Sequence, residues 1–100
     1  MTYRFGLIGS HISYSRSPEL HQQIAKLLQY EMTYDLIDIQ EVDMMKYLEK
    51  LRKHEYHGFN VTKPYKETII KYLDELTPRA KRIGAVNTIY YRNQKLMGDN

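Results

Sequence analysis

The residues with the clearest chemical potential lie between Asn60 and Lys66. Asn60 and Thr62 are two positions apart, and Lys66 follows four positions later. In extended backbone, side chains two apart point to the same face, so an amide, a hydroxyl and an ammonium would converge there. Such a set could bind a polyol and move a proton, if desolvation lowers the pKa of the lysine or a carboxylate steadies it. The alternative interpretation is a surface lysine in the first turn of a helix.

Two further clusters contain polar residues of the same kind. Ser15 and Ser17 are also two apart, and Ser17-Pro18 has the form of a helix start, with a serine cap and proline at the first helical position. Paired hydroxyls beside a helix N-terminus suit a carboxylate or a phosphate, although both serines could instead cap a turn and the helix. Asn87 lies at the start of a predicted strand, where it could be a ligand donor or an ordinary turn residue.

The elements that must position these clusters alternate between strand and helix. Short apolar or alternating segments predict strands at Tyr3 to Ile8, Thr33 to Ile39, Gly58 to Val61, Thr88 to Arg92 and Lys95 to Met97. Apolar spacing of three and four residues, or a cap followed by proline, predicts helices from Ser17 to Leu28, from Val42 to His54, from Pro64 through Ile70 and from Thr77 to Gly84. Asn93-Gln94 suits a two-residue hairpin turn.

This order predicts an α/β fold. Two strand–helix–strand units imply parallel pairing, and the closing hairpin adds an antiparallel strand. We therefore expect a three-layer sandwich with a mixed, mostly parallel sheet flanked by helices. Ligands of open α/β sheets bind at the carboxyl ends of the parallel strands, which is where the clusters around Ser15 and Asn60 fall.

Composition narrows the class of protein. One hundred residues, of which 42% are hydrophobic and 27% charged, predict one globular domain. The absence of cysteine excludes disulfides, thiolate metal sites and a cysteine nucleophile. No apolar run approaches 18 residues and no signal peptide is recognisable, so no membrane partner and a cytoplasmic location are expected. The five glycines form neither G-x-G-x-x-G nor a P-loop, and His54 and His57 lack a third ligand, so we expect no nucleotide cradle and no metal site.

The three clusters, in this order and at these intervals, resemble the shikimate dehydrogenase family. The matching segments are GSHISYSRSP (9–18), GFNVTKPYK (58–66), DELT (74–77), GAVNTI (84–89) and GDN (98–100). The serine motif alone is common, whereas N-V-T-x-P-[FY]-K followed by G-A-V-N-T is specific. The resemblance covers essentially the whole chain.

The resemblance implies the N-terminal, substrate-binding domain of an enzyme that reduces 3-dehydroshikimate to shikimate with NADPH, in the biosynthesis of aromatic amino acids. It implies that Ser15 and Ser17 bind the substrate carboxylate, that Asn60, Thr62 and Asn87 hold the ring hydroxyls, and that Lys66 is the catalytic lysine, which also touches the substrate. The expected partner is therefore a small molecule.

Residues 1–100 would form this domain, and the NADP-binding Rossmann domain would lie outside the chain. In the family, the aspartate that pairs with the lysine is the second of G-D-N-T-D-G, two positions beyond Asn100, so Asp99 is not expected to be catalytic. A chain without that aspartate and without a cofactor site is expected to be inactive alone.

Three alternatives remain at this point. One is a relative that also uses quinate, and another is a free-standing domain that binds a small hydroxy acid. The third is a small basic module that binds RNA, an alternative suggested by the net charge of +3 and the ten tyrosines. The RNA alternative explains none of the three polar clusters, and the tyrosines do not interleave with Lys and Arg as a stacking platform requires. We therefore expect no nucleic-acid partner.

Overall fold

A six-stranded sheet runs through the molecule. The computed structural model describes residues 2–12, 17–27 and 31–100, with only the backbone of Ser17. The strands are β1 (Thr2–Gly9), β2 (Glu31–Asp38), β3 (Gly58–Val61), β4 (Glu75–Leu76), β5 (Thr88–Arg92) and β6 (Lys95–Asp99). They lie side by side in the order β2-β1-β3-β5-β6-β4.

The sheet is mixed, as the sequence predicted. β1 is parallel to both β2 and β3, whereas β5 is antiparallel to β3 and to β6. The short strand β4 is parallel to β6, through Glu75 and Leu76 alone. The sequence did not predict β4, because two residues are too few to show an alternating pattern.

Helices flank the sheet on both faces, which completes the predicted α/β architecture. They are α1 (Ser17–Leu27), α2 (Met44–Arg52) and α3 (Pro78–Ile83), with 3₁₀ helices at Glu41–Asp43 and Thr68–Tyr72. The helix predicted from Val42 is therefore α2 preceded by a 3₁₀ turn, and the turn predicted from Pro64 forms later, as 3₁₀ rather than α-helix. Within the described ranges, no helix is long and apolar enough to span a membrane.

The main core lies on one face of the sheet. Alternate residues of the central strands point to this face and pack with the apolar side of α2. The buried side chains include Ile8, Ile37, Met44, Leu48, Leu51, Phe59, Val61, Ile69, Ile89 and Leu96. This layer holds β1, β3 and β5 together, and the candidate site is built on their ends.

Helix α1 lies on the opposite face, with its apolar side turned outward. The spacing of Leu20, Ile24 and Leu27 puts them on one side of the helix, as for a buried side, but they are 56%, 46% and 83% exposed. The helix instead approaches β2 through Ala25, which is buried, and His21, whose ring stacks on Tyr34. This contact orients α1 about its axis and leaves the leucine–isoleucine side free of the sheet.

Local signals at the carboxyl-terminal end of the chain are confirmed. Thr77 caps α3 by accepting a hydrogen bond from the backbone N–H of Ala80, and Gly84 ends that helix with φ = 76°. Asn93 and Gln94 have φ of 52° and 63°, as the tightest hairpin turns require. These turns place β5 between β3 and β6.

Candidate functional site

The polar clusters that follow β3 and precede β5 meet at one edge of the sheet. Asn60, near the end of β3, is paired with Thr88, the first residue of β5. The neighbouring end of β1 joins them, because the backbone N–H of Thr62 donates to the carbonyl of Ile8 at 2.9 Å. The structure therefore brings the predicted site residues Asn60, Thr62 and Asn87 together at the carboxyl end of the parallel strands.

The amide of Asn60 is held at both ends. Its Nδ2 donates to the backbone carbonyl of Asn87 at 3.3 Å, and its Oδ1 accepts from the hydroxyl of Tyr34 at 2.8 Å. A backbone carbonyl can only accept, so the amide nitrogen must face Asn87. One hydrogen on Nδ2 has no acceptor within the described part of the chain.

Asn87 is the second fixed amide. Its backbone carbonyl accepts from the N–H of Val61 at 2.9 Å as well as from Asn60, and its own N–H donates to the carbonyl of Asp99 at 3.0 Å. Its side-chain Oδ1 accepts from the hydroxyl of Thr88 at 3.0 Å. Both amide oxygens are thus engaged inside the protein, and the donors left for a ligand are N–H groups.

Thr62 is set by close packing against Gly9. A Cβ at Gly9 would lie 2.7 Å from Thr62 Cγ2, 2.9 Å from Ile12 Cγ2 and 2.9 Å from the carbonyl oxygen of Lys63. The backbone N–H of Ser10 donates to that same carbonyl at 3.2 Å. Glycine at position 9 is what lets the ends of β1 and β3 approach so closely.

The backbone of Lys66 lies close to the segment that leads into Asn87. Its backbone carbonyl accepts from the N–H of Val86 at 2.8 Å, which ties the segment after β3 to the residue before Asn87. The side chain of Lys66 is exposed, and it forms no salt bridge with any described carboxylate.

The serine cluster can be placed only in part. Ser17 begins α1, as the Ser-Pro signal predicted, and its side chain lies outside the described set. Ser15 also lies outside the described residues. The proposed carboxylate site thus remains a prediction from the sequence.

Tyr34 is a contributor that the sequence did not reveal. It is 6% exposed, its hydroxyl reaches Asn60 across β1, and the ring of His21 stacks on it with centroids 4.4 Å apart. Burial raises the pKa of Tyr34 to about 12, so the hydroxyl keeps the proton that it donates. The alternation in β2 shows which face Tyr34 occupies, but not that its hydroxyl has a partner two strands away.

Asp99 has a structural partner. Its Oδ1 accepts from the hydroxyl of Thr77 at 2.6 Å. That hydrogen bond, followed by one from the backbone of Asn100, lowers the pKa of Asp99. Its carboxylate therefore ties the start of α3 to the end of β6.

The histidines after α2 have local contacts. The Nδ1 of His57 accepts from the backbone N–H of Arg4 at 3.0 Å, and the ring of His54 makes an edge contact with Tyr91. No cluster of three or more His, Cys, Asp or Glu side chains suited to a metal ion occurs among the residues that the structure describes.

Comparisons with known proteins converge on one family. Residues 7–89 match the model of the shikimate dehydrogenase substrate binding domain. The chain is 42% identical over 96 residues to a shikimate dehydrogenase (NADP(+)) of Clostridium beijerinckii, which covers 96% of this chain and 36% of that protein.

Solved structures agree in fold and in sequence. Shikimate dehydrogenase 1 of Peptoclostridium difficile superposes with a TM-score of 0.90 at 44% identity, covering 98% of this chain and 36% of that one. A shikimate 5-dehydrogenase of Listeria monocytogenes, solved with shikimate and NAD, gives a TM-score of 0.89 at 33% identity, over 98% and 34% of the two chains. The chain spans about a third of the length of these relatives.

Proposed function

The chain belongs to the shikimate dehydrogenase substrate-binding domain family, and from that premise we propose that it forms the substrate-binding part of an NADP-dependent shikimate dehydrogenase. The proposed reaction reduces 3-dehydroshikimate to shikimate, and the proposed setting is the cytoplasm. One observation carries the proposal: at the carboxyl end of β3 the side-chain amide of Asn60 donates to the backbone carbonyl of Asn87, and the backbone of Lys66 is hydrogen-bonded to Val86, the residue before Asn87.

The two amides suit a ring that bears several hydroxyl groups. Because Asn60 Oδ1 and Asn87 Oδ1 are already occupied by tyrosine and threonine hydroxyls, each residue can offer N–H groups to the oxygen of a ligand hydroxyl. Thr62 adds a hydroxyl that can both donate and accept. In this proposal, Ser15 and Ser17 hold the substrate carboxylate at the start of α1, where the helix dipole favours an anion.

Lys66 is proposed as the catalytic residue. When hydride adds to the ketone carbon, negative charge develops on the ketone oxygen, and a nearby ammonium can stabilise that charge and transfer a proton to the oxygen. The oxygen becomes the new hydroxyl of shikimate, and the neutral lysine regains a proton from solvent. The exposed position of Lys66 leaves that return path open.

The cofactor is proposed to bind outside this chain. Its glycines do not form the G-x-G-x-x-G turn on which a dinucleotide pyrophosphate rests, so the chain's own residues do not fit the cofactor phosphates. When bound by the rest of the protein, NADPH would supply the hydride. The residues described here would bind the substrate, orient it and protonate it.

Steady-state kinetics of the complete protein that contains this chain tests the proposal. We expect NADPH-dependent reduction of 3-dehydroshikimate, and we expect Lys66→Ala to lower kcat by about 100-fold or more, the usual contribution of a general acid. Lys63→Ala is the matched control, because Lys63 is also exposed and lies three positions earlier in the same segment.

Two outcomes would contradict this function. A complete protein without shikimate dehydrogenase activity would refute the substrate, and wild-type turnover by Lys66→Ala would refute the role of the lysine. Comparable kcat/KM for shikimate and quinate would instead identify the relative that uses both.

A further inference from the structure

Beyond the residues proposed to touch the substrate, we infer that Tyr34 is a positioning residue that fixes the side-chain amide of Asn60 with its N–H groups toward the ligand. The inference deepens the proposed function and rests on it. The hydroxyl of Tyr34 donates to Asn60 Oδ1 at 2.8 Å, and this contact crosses β1, the strand between β2 and β3.

The geometry leaves Asn60 a single amide orientation. The backbone carbonyl of Asn87 can only accept, so it faces the N–H end of the Asn60 amide, and the hydroxyl of Tyr34 meets the opposite end. If the amide flipped, its oxygen would face the carbonyl oxygen of Asn87, and two acceptors would repel each other. Tyr34 therefore strengthens the orientation that exposes a donor.

Tyr34 is itself held in place. Its ring is 6% exposed and is stacked on the ring of His21 with an interplanar angle of 13°. His21 belongs to α1, the helix that begins at Ser17. The chain of contacts from His21 through Tyr34 to Asn60 thus joins the helix of the predicted carboxylate site to the strand of the predicted hydroxyl site.

Loss of the hydroxyl should affect binding more than chemistry. Without the Tyr34 hydroxyl, only the hydrogen bond to the Asn87 carbonyl holds the amide of Asn60, so its N–H groups are aimed less firmly at the ligand. Because Asn60 would hold a ring hydroxyl equally in the ground state and in the transition state, its loss raises KM and leaves kcat nearly unchanged. We expect Tyr34→Phe to raise KM for shikimate about five- to tenfold, the effect of about one hydrogen bond.

A double-mutant cycle in the complete protein separates positioning from structure. If Tyr34 acts through Asn60, then Tyr34→Phe raises KM on the wild-type background but adds little on the Asn60→Ala background. Tyr72→Phe is the matched control, since it removes a tyrosine hydroxyl that donates to Glu41 outside the site. KM of this control should stay at the wild-type value, and thermal melting of each variant reports folding.

The outcomes distinguish this role from the proposed function. No activity of the wild-type protein on shikimate would overturn both. If the wild type is active, but Tyr34→Phe raises KM equally on the wild-type and Asn60→Ala backgrounds or does not raise it at all, only the role of Tyr34 would be overturned. A lower melting temperature with unchanged KM would also overturn it, because that is the result expected for a residue that only stabilises the fold.

If Tyr34→Phe does not fold, NMR of the wild-type protein tests the same inference. Saturation with shikimate should shift the side-chain Nδ2 and hydrogen resonances of Asn60, while its side-chain carbonyl carbon keeps its chemical shift because Tyr34 still donates to it. A large change at the carbonyl carbon would show that the ligand displaces Tyr34 and would overturn the inference.

Discussion

Substitution of Gly9 by alanine tests how the site is assembled. A Cβ at this position would lie within 3.0 Å of atoms of Thr62, Ile12 and Lys63, and the Lys63 atom is a backbone oxygen that cannot rotate away. Overpacking of this kind costs about 1–3 kcal/mol. Displacement of the Lys63 carbonyl would also weaken its hydrogen bond from Ser10, worth about 1 kcal/mol.

Gly9→Ala is therefore expected to lower the free energy of unfolding by about 2–4 kcal/mol. For a domain of this size, each kcal/mol lowers the melting temperature by about 4–8 °C, so thermal denaturation followed by circular dichroism should show a large shift. Gly84→Ala is the control: its φ is 76° but nothing lies within 4 Å of the added methyl group. Left-handed strain alone should cost about 1 kcal/mol there.

The same substitution should weaken the binding of shikimate, because Thr62 moves with the Lys63 backbone. The reasoning would be refuted if Gly9→Ala melted at the wild-type temperature or lost less stability than Gly84→Ala. If Gly9→Ala were destabilised but bound shikimate with unchanged affinity, the close packing at Gly9 would stand and its role in placing Thr62 would be refuted.

Two further predictions concern the fold. Leu48 is fully buried, so Leu48→Ala should lower the free energy of unfolding by about 2–5 kcal/mol. Val42 is 82% exposed, so Val42→Ala should change the free energy of unfolding by no more than about 0.5 kcal/mol. Equal urea midpoints for the two variants would contradict the assigned core. Thr77→Ala removes the cap of α3, at a cost of about 1 kcal/mol, and removes the main cause of the lowered pKa of Asp99. Carboxyl NMR titration should show that pKa rising.

The pH dependence of the Thr77→Ala effect has a definite sign. A lowered pKa in the folded state means that Asp99 adds stability above its unfolded pKa of about 3.9, and that this contribution is lost as the pH falls through the folded value. The stability difference between wild type and Thr77→Ala should therefore shrink in acid. A difference that grew as the pH fell would contradict the assigned hydrogen bond.

Local chemistry explains why much of the fold was predictable. Thr77 followed by proline, Gly84, and the pair Asn93-Gln94 each act within a few residues, and each produced the predicted cap, helix end or turn. The short apolar segments of β1 and β3 likewise identified strands that are followed by polar residues. Only the family resemblance gave Asn60 and Asn87 a common role, and the pairing of Asn60 with Thr88 is what places them side by side.

What the sequence missed depends on contacts between distant segments. Strand β4 consists of two residues and exists because Glu75 and Leu76 pair with β6. The orientation of α1 is set by His21 and Ala25 against the sheet rather than by its most apolar residues. Periodicity describes which side of a helix is apolar, but it does not include a ring that stacks on a tyrosine of a neighbouring strand.

The contact between Tyr34 and Asn60 also offers a basis for selectivity in the proposed site, whose described residues include no buried charge. In the proposed site, each asparagine already has a hydroxyl group of the protein donating to its amide oxygen, so the N–H groups are the side better placed to bond a ligand. A ring that lacks a hydroxyl at the matching position would leave a half-buried N–H without an acceptor, and a site built to bond a hydroxyl strongly rejects the analogue without it. If the proposed site is right, selectivity for a hydroxylated ring would follow from the direction of the hydrogen bonds inside the protein, in which the Tyr34 hydroxyl is the donor.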